Sequence, residues 1–207
     1  MKVIEPSIEI ISEINGTNIL KAIEKAGRTC YKSEGNITDA SAPAFVRRLI
    51  EREHESMLEH APAISIKFIC DRGVSHEIVR HRLFSFAQES TRYCNYAQDK
   101  FNNEITFIKP CFWEEREPAY NAWLNLMEAA ERVYFELLNT HNASPERARS
   151  VLPVSVKTEL VITGNAREWR HFFKRRTDKA AHPQMRQVAN MALEALRKRI
   201  EILFDDI

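Results

Sequence analysis

The hydrophobic pattern of this chain changes period several times, with no linker between the changes. Stretches that alternate apolar and polar residues, such as 63–70 and 154–163, predict half-buried β-strands. A longer stretch, 118–138, places apolar residues three and four apart and predicts an amphipathic helix. No repeat, low-complexity stretch or Pro/Gly-rich linker interrupts the 207 residues. The sequence therefore predicts a single mixed domain of the α+β class, residues 1–207, in which helices dominate over a small central sheet.

Caps and turn residues predict the remaining elements. Asn18 is a candidate N-cap for a helix that ends near Thr29, and Ser144 followed by Pro145 starts a short helix. Residues 84–90 follow neither period and are predicted to form an extended loop. The other predicted elements are the strands 2–11 and 105–108 and the helices 40–53, 73–82, 166–176 and 182–203.

The composition is that of a globular protein and excludes several classes. Hydrophobic residues make up 44% of the chain and charged residues 29%. The formal net charge of +1 is too small for a protein that coats nucleic acid, so no nucleic-acid partner is expected. No apolar run approaches the ~18 residues that a membrane span requires. We therefore expect no membrane partner and a cytoplasmic location.

The sequence lacks the common metal and nucleotide motifs. Its four cysteines show neither Cys-x-x-Cys spacing nor a nearby pair of histidines, so we predict no metal site and reduced thiols. It has only five glycines and no Gly-x-Gly-x-x-Gly or Walker-type loop. The common nucleotide-binding folds are therefore excluded.

One window, residues 80–92, concentrates charged and hydroxyl side chains. It holds three arginines, one histidine and two serines, and the whole chain has 19 Arg against 11 Lys. Guanidinium groups present a planar fork of donors that matches phosphate and carboxylate oxygens. Arg80 and Arg82 alone could be explained by a helix C-terminus, because cations stabilise that end of the macrodipole. Ser85 and Ser90 beside them favour a phosphate site, since such sites combine charged donors with hydroxyl and backbone N–H groups.

This window resembles the Arg-His-Arg…Ser signature of the flavin-dependent thymidylate synthases, carried at the family spacing by Arg80, His81, Arg82, Ser85, Ser90 and Arg92. Further segments resemble that family in the same order along the chain. They are 54–60 (HESMLEH), 149–153 (RSVLP) and 165–176, which begins with Asn-Ala-Arg and ends with Arg. The chain departs from the family pattern as we know it at Ala87, Gln88 and His171.

The resemblance implies a fold like that of the thymidylate synthase-complementing proteins and the reductive methylation of dUMP to dTMP. In that reaction 5,10-methylenetetrahydrofolate donates the one-carbon unit, and FAD with NADPH provides the reducing equivalents. The flavin would deliver the hydride without an enzyme nucleophile, so Ser90 is expected to bind phosphate instead of attacking the pyrimidine. The resemblance also implies a homotetramer whose active sites are shared between subunits.

The resemblance assigns roles to individual residues. Arg176 would be catalytic, facing the uracil ring and stabilising the negative charge that develops there. The residues implied for dUMP are Glu77, Arg80, Gln88, Glu89, Ser90, Arg92, Arg149 and Arg176. The residues implied for the flavin are Ser56, Arg80, His81, Arg82, Gln88, Asn165, Arg167 and His171. These arginines are expected to converge on one cavity in the assembled oligomer.

Two other functions remain open from the sequence. A nucleotide- or RNA-binding module would use the same arginines, with Phe84, Phe86 and Tyr93 as stacking surfaces. A phosphohydrolase would need a cluster of Asp and His metal ligands, which the sequence does not contain. Flavin absorbance separates the leading hypothesis from the first alternative, and metal-dependent phosphate release tests the second.

Overall fold

The structure, a computed structural model, describes all residues from 1 to 207. Its six strands are β1 (Lys2–Ile4), β2 (Ser7–Ile10), β3 (Ile64–Asp71), β4 (Ser85–Gln88), β5 (Thr106–Ile108) and β6 (Lys157–Gly164). Its seven α-helices are α1 (Gly16–Thr29), α2 (Ser41–Glu51), α3 (Arg72–Ile78), α4 (Pro118–Asn139), α5 (Pro145–Ala148), α6 (Ala166–Arg176) and α7 (Pro183–Arg197). Short 3₁₀ helices lie at Glu34–Asn36, Glu55–His60, Asp99–Phe101, Arg149–Val151 and Glu201–Leu203.

The strands form two small sheets. Strands β1 and β5 pair in parallel, with Val3 opposite Phe107. The larger sheet has four strands in the order β2-β3-β6-β4. Helices contain more of the chain than strands do, which is the balance predicted for this α+β chain.

The residues group into two compact units. The first unit comprises Met1–Ser7, Phe68–Arg80 and Ala87–Leu160, and the second unit comprises Ile8–Lys67, His81–Phe86 and Val161–Ile207. The Arg-His-Arg segment is thus divided, with Arg80 in the first unit and His81 in the second. That residues 1–207 behave as a single domain stays a prediction.

Helix α4 provides much of the core of the first unit. Trp123, Met127 and Tyr134 lie on it and belong to one buried cluster with Phe107 of β5. Their spacing of four and seven residues places them on one helical face, as the apolar pattern predicts. Trp123 also donates from Nε1 to Ser155 Oγ at 3.1 Å, so its polar atom is satisfied inside the core.

Helix α6 provides much of the core of the second unit. Trp169, Phe172 and Phe173 are fully buried there, and the rings of Trp169 and Phe173 stack 5.5 Å apart. Phe84 packs edge-on against Trp169 at 4.9 Å. A Cβ on Gly164 would lie 2.4 Å from the Phe84 ring, so this close approach requires glycine. The packing of Phe84 fixes the chain directly after the Arg-His-Arg segment.

Two predicted β segments differ from the structure. Residues 2–11 form two short strands, because Pro6 lacks the N–H group that a continuous ladder needs. The prediction of an extended loop over 84–90 was wrong for Ser85–Gln88, which pair as β4 at the edge of the larger sheet. An edge strand buries few side chains, so its sequence carries little of the alternation that marks a central strand.

Three predicted helix ends also differ. Asn15 caps α1 in place of Asn18, since Asn15 Oδ1 accepts the N–H of Asn18 at 3.0 Å. Helix α3 ends at Ile78 and not at 82, because the chain turns there before entering β4. Helix α7 ends at Arg197 and not at 203, where Arg197 Nε donates to the carbonyl of Phe204 at 3.0 Å and the chain folds back.

Candidate functional site

The segment that leaves β4, residues 88–92, has a fixed backbone in the first unit. Glu89 donates its N–H to the carbonyl of Glu159 on β6 at 2.9 Å. The carbonyl of Glu89 accepts a bond of 2.8 Å from Nη2 of Arg72, the first residue of α3. Two elements of this unit therefore hold the loop through its main chain, which presents the neighbouring side chains in a defined arrangement.

The carboxylate of Glu89 is also engaged within the first unit. One oxygen accepts from the Tyr96 hydroxyl at 2.9 Å, and the other accepts from Lys157 Nζ at 3.0 Å. Burial and the Glu89 charge raise the pKa of Tyr96, so its hydroxyl remains a proton donor. Because both oxygens already have partners, Glu89 positions the loop, and its predicted direct contact with substrate stays a prediction.

Gln88 uses its amide nitrogen to bind two hydroxyl groups of the first unit. Nε2 donates to Ser75 Oγ at 2.9 Å and to Thr158 Oγ1 at 3.2 Å. Ser75 in turn donates to the carbonyl of Arg72 at 2.9 Å. This direction of bonding leaves Oε1 of Gln88 as an acceptor for a ligand. A glutamate at position 88 has no side-chain N–H group, so it would accept hydrogen bonds from the Ser75 and Thr158 hydroxyls instead of donating to them.

Ser90, Arg92 and Arg149 lie at this same loop. Arg92 donates its backbone N–H to Ser90 Oγ at 3.3 Å, and its Nε pairs with the carboxylate of Glu146 on α5 at 3.1 Å. Arg149 donates from Nη1 to Thr91 Oγ1 at 3.4 Å. The first unit therefore brings together two guanidinium groups and a serine hydroxyl, which are the donor types of an oxyanion site.

Two further residues predicted for the substrate lie at the end of α3. Glu77 is half-buried in the last turn of that helix, and Arg80 is exposed two residues beyond the helix end. Arg80 makes no ion pair within the chain. Its guanidinium is therefore available to an external anion.

In the second unit, His81 and Arg176 form a hydrogen-bonded pair. Arg176 donates from Nε to His81 Nε2 at 2.9 Å, and the His171 ring lies 5.9 Å from the His81 ring. Burial, the charge of Arg176 and the proximity of His171 lower the pKa of His81 from 6.5 to about 4. His81 is therefore neutral at pH 7 and carries its proton on Nδ1, because Nε2 accepts from Arg176.

Asn165 and Arg167 lie at the start of α6 in the second unit. Asn165 caps the helix, since its Oδ1 accepts the N–H of Glu168 at 3.0 Å. Arg167 pairs with Glu59, and its Nε lies 3.9 Å from a carboxylate oxygen of Glu55. The cap leaves the amide nitrogen of Asn165 for a ligand, whereas the Arg167 guanidinium is already oriented by two carboxylates.

Arg170 is a buried residue of α6 that connects this helix to other parts of the second unit. It is 1% exposed, and Nη1 and Nη2 each bond to a carboxylate oxygen of Asp206 at 2.7 Å. The hydrogen bonds from Arg170 lower the pKa of Asp206. A carboxylate oxygen of Glu55 lies 3.3 Å from Lys174 Nζ and 4.0 Å from Arg170 Nε. This network links α6 to the short helix that carries Ser56.

The residues predicted for the flavin divide between the two units. Arg80 and Gln88 belong to the first unit, and six belong to the second: Ser56, His81, Arg82, Asn165, Arg167 and His171. Among these six, the side chains of Ser56, Arg82 and His171 are exposed. Arg176, predicted to act on the pyrimidine, also lies in the second unit. The convergence of Arg80, Arg92, Arg149 and Arg176 on one cavity stays a prediction.

Sequence reasoning missed the residues that support these clusters. Arg72, Tyr96 and Lys157 hold Glu89, and Glu55 orients the α6 cations. Asp71 could have pointed to Arg72, because an N-cap acid directly after a predicted strand places the next residue at a helix start. Lys157 and Glu55 carry no local signal, since their partners lie 68 and 119 residues away in the chain, and no sequence motif marks Tyr96, whose partner is seven residues away.

The fold and these clusters define a class: an α+β protein with a fixed arginine loop that carries the donor types of an oxyanion site, and with a neutral histidine hydrogen-bonded to an arginine. Sequence comparison specifies this class further. Residues 12–200 match the family described as thymidylate synthase complementing protein. The chain belongs to this family, so the family predicted from the motifs is confirmed.

The chain is similar over most of its length to curated members of the family. A flavin-dependent thymidylate synthase of Corynebacterium aurimucosum is 36% identical over 200 residues, which cover 89% of this chain and 78% of the relative. A flavin-dependent thymidylate synthase of Pyrococcus furiosus is 34% identical over 176 residues, covering 85% of this chain and 71% of the relative. The predicted enzyme class, a flavin-dependent methyltransferase, is thereby confirmed.

A solved structure confirms the fold. The UMP/dUMP methylase PolB from Streptomyces cacaoi, bound with 5-Br dUMP, aligns with a TM-score of 0.80 at 24% identity. The alignment covers 99% of this chain and 96% of PolB. The predicted α+β fold of the thymidylate synthase-complementing type is therefore correct. No helix of the chain has both the length and the apolar character needed to cross a bilayer.

The side chains of the second unit fit a flavin dinucleotide. Arg82 offers a guanidinium to phosphate oxygens, and Ser56 and the amide of Asn165 offer neutral hydrogen bonds. His81 is neutral and presents a donor at Nδ1, which suits the carbonyl and nitrogen edge of a ring. The donor set thus contains both the charged and the neutral groups that such a cofactor requires.

Proposed function

We propose that this protein methylates dUMP to dTMP, with 5,10-methylenetetrahydrofolate as the one-carbon donor and NADPH as the reductant of bound FAD. The observation that carries the proposal is the arginine loop of the first unit. There Ser90, Arg92 and Arg149 surround a backbone that Glu89 holds in place. The names of the curated relatives support the same activity.

In this proposal the nucleotide phosphate binds to Arg80, Ser90, Arg92 and Arg149. Arg92 exchanges its exposed pair with Glu146 for the phosphate, and this exchange costs little because exposed ion pairs contribute about 0–1 kcal/mol. Each charge-assisted bond to the phosphate contributes about 1.5–3 kcal/mol. Oε1 of Gln88 accepts a donor group of the nucleotide, since its amide hydrogens already bind Ser75 and Thr158.

We assign flavin binding to the six residues of the second unit, with Arg80 and Gln88 contributing from the first. When bound, the flavin supplies the hydride and mediates transfer of the one-carbon unit. Arg176 supplies a fixed positive charge for the pyrimidine, and a fixed charge stabilises a developing anion without reorganisation. His81 orients the Arg176 guanidinium by accepting its Nε–H and, because it is neutral, does not repel that cation.

The proposed enzyme is a homotetramer with active sites shared between subunits, and it acts in the cytoplasm. The family supports this assembly, as does the distribution of the predicted site residues over elements that are distant in sequence. The alternative of an RNA-binding module is weakened by Phe84. Its ring is 5% exposed and packs against Trp169, so it offers no stacking surface for a base.

Two arginine variants test the proposed roles in an anaerobic assay with dUMP, methylenetetrahydrofolate, NADPH and FAD. Arg176→Ala is expected to lower the rate of dTMP formation by about 10²–10³-fold, as loss of a transition-state donor does, and to leave flavin absorbance intact. Arg82→Ala is expected to weaken flavin retention about tenfold, which corresponds to roughly 1.4 kcal/mol.

Arg175→Ala is the matched control, because Arg175 neighbours Arg176 on α6 and is exposed. It should retain both turnover and flavin. Wild-type protein that takes up flavin and substrates but forms no dTMP would refute the proposed function. Full turnover by Arg176→Ala would remove only the catalytic role of that residue.

A further inference from the structure

The arginine loop of the first unit, residues 88–92, contains one acidic residue beside its proposed phosphate donors. Glu89 directly precedes Ser90, and the Glu89 side chain is 11% exposed. Consecutive Cα atoms are about 3.8 Å apart, so the charge of Glu89 acts at short range on an anion bound by Ser90. A phosphate monoester carries a charge of about −1.5 to −2 at neutral pH. A bare Glu89 carboxylate would therefore repel the ligand that the loop is proposed to bind.

Lys157 places a positive charge directly against this carboxylate. It is the first residue of β6, and its Nζ lies 3.0 Å from a carboxylate oxygen of Glu89 and 2.9 Å from one of Glu159. Burial alone would lower the pKa of Lys157, but the hydrogen bonds to Glu159 and Glu89 raise it. Lys157 is therefore a cation throughout the neutral range.

The two carboxylates that share Lys157 differ in their surroundings. The Glu159 side chain is 44% exposed, so water screens its charge, whereas the charge of the buried Glu89 is screened much less. The second oxygen of Glu89 accepts from the Tyr96 hydroxyl, which is neutral. Arg72 bonds to the main-chain carbonyl of Glu89 and not to its carboxylate. Lys157 is thus the one cation bonded to the Glu89 carboxylate.

The course of the loop does not depend on Lys157. The N–H of Glu89 bonds to Glu159 O at 2.9 Å, and its carbonyl accepts from Arg72 Nη2 at 2.8 Å. The Tyr96 hydroxyl holds the side chain of Glu89 at 2.9 Å. Three contacts therefore fix Glu89 without the lysine. What Lys157 adds to them is its charge.

We propose that Lys157 is a positioning residue for the nucleotide, which neutralises the Glu89 carboxylate and thereby allows the arginine loop to accept a doubly charged phosphate. Lys157 acts through Glu89 and makes no contact with the ligand. Arg92 and Arg149 stay available to the phosphate, since Glu89 has a cation of its own. This inference rests on the proposed function, because that function makes a nucleotide monophosphate the ligand of the loop.

Lys157→Gln tests the proposal, because it removes the charge and keeps a hydrogen-bond donor for Glu89. The FAD-loaded protein is titrated with dUMP at about pH 8, well above the ordinary pKa of glutamate. We expect the Kd for dUMP to rise about tenfold. Deoxyuridine lacks the phosphate, so its inhibition constant should stay within about twofold of wild type. The KM for dUMP should rise with the Kd, while kcat stays within about twofold.

The double variant Glu89→Gln/Lys157→Gln separates charge from contact. It removes both charges, so it leaves no buried carboxylate without a cation and is expected to fold even where the single variant is unstable. Its Kd for dUMP should return to within about threefold of wild type. Lys157→Arg keeps the charge and should restore most of the affinity as well. A double variant that binds dUMP as weakly as Lys157→Gln would overturn the proposal, because Lys157 or Glu89 would then contact the nucleotide directly.

Lys109→Gln is the matched control, since Lys109 also bridges two carboxylates of the first unit, Glu5 at 3.5 Å and Glu115 at 2.8 Å. It should leave both binding constants unchanged. Equal losses for dUMP and deoxyuridine in Lys157→Gln would overturn the proposal, because a displaced loop affects the whole ligand. Unchanged dUMP affinity in Lys157→Gln, beside a wild-type enzyme that forms dTMP, would refute the inference and leave the proposed function intact. A wild-type protein that binds no dUMP would instead refute the proposed function.

Discussion

The imidazole of His81 receives a hydrogen bond from a cation and lies close to a second histidine. Arg176 donates to Nε2 at 2.9 Å, and the His171 ring is 5.9 Å away. Both neighbours make protonation of His81 unfavourable, in addition to the burial of its ring. The residue therefore keeps one tautomer over the whole neutral range, which fixes the orientation of Arg176.

This arrangement predicts a pH dependence of stability. Because the pKa of His81 is lowered from 6.5 to about 4, the unfolded chain binds one more proton than the folded chain between these values. The contribution of neutral His81 to the free energy of unfolding is complete above about pH 6.5 and is lost as the pH falls through about 4. After discounting for partial exposure, we expect the loss to be about 1–2 kcal/mol.

Urea unfolding of the flavin-free protein and of His81→Gln, at intervals from pH 7.5 to 4, measures this effect. The difference in free energy of unfolding between the two proteins should shrink as the pH falls. Other acidic groups titrate equally in both proteins and cancel in this difference. A difference that is constant with pH would show that His81 does not have a depressed pKa.

At the scale of elements, the end of α2 depends on a non-glycine residue in the left-handed conformation. Glu53 has φ 56°, its N–H donates to Ile50 O at 3.0 Å, and the N–H of His54 donates to Leu49 O at 2.8 Å. These two bonds form a Schellman motif, in which glycine is the usual residue at the position of Glu53. The motif sets where the chain leaves α2, directly after its C-cap residue Arg52.

Glycine at this position should stabilise the protein. Glu53→Gly removes the steric cost of the left-handed conformation, and we expect the free energy of unfolding to rise by about 1 kcal/mol. Glu51→Gly is the matched control, since Glu51 is the last helical residue of α2 and should lose about 1 kcal/mol there. Chemical denaturation at pH 7 measures both changes. A destabilised Glu53→Gly would mean that the glutamate side chain contributes more than its backbone strain costs.

At the scale of the whole molecule, the predicted binding residues come from parts of the chain that are far apart in sequence. Arg149 follows α5 and binds at the arginine loop of the first unit. Arg82 lies in the second unit, in the segment before β4. The proposed tetramer would combine such residues from different subunits in each active site.

Mixing two impaired variants, assayed at low dUMP and limiting FAD, tests this assembly. Arg149→Ala should raise the KM for dUMP about 10–100-fold, because it removes one charge-assisted phosphate contact. Arg82→Ala should retain flavin about tenfold less tightly, as argued above, so its activity should be low at limiting FAD. Suppose that each site draws these two arginines from different subunits. In an equal mixture, each of the two subunits then has a chance of about one half of supplying its intact arginine. Refolded mixtures at low dUMP should therefore recover about one quarter of wild-type activity. No recovery in mixtures that form tetramers would mean that one subunit supplies both arginines.

Much of the fold followed from local patterns. The amphipathic face of α4, the Pro145 helix start, strand β3 and, apart from residues 154–156, strand β6 were predicted correctly, because burial imposes its period directly on the residues. The errors lie at element ends and in β4. Phe84 decides the course of β4 through its contact with Gly164, which is 80 residues away, and no local window contains that information.

The sequence by itself determined the family, because its motifs match those of the flavin-dependent thymidylate synthases in order, and that resemblance named the candidate binding residues. Only the tertiary structure decided what each residue is free to do. It tied the Glu89 carboxylate to Lys157, set the direction of the Gln88 amide and made His81 neutral. The physical reason is that charge state and hydrogen-bond direction depend on neighbours in space, and folding alone brings those neighbours together.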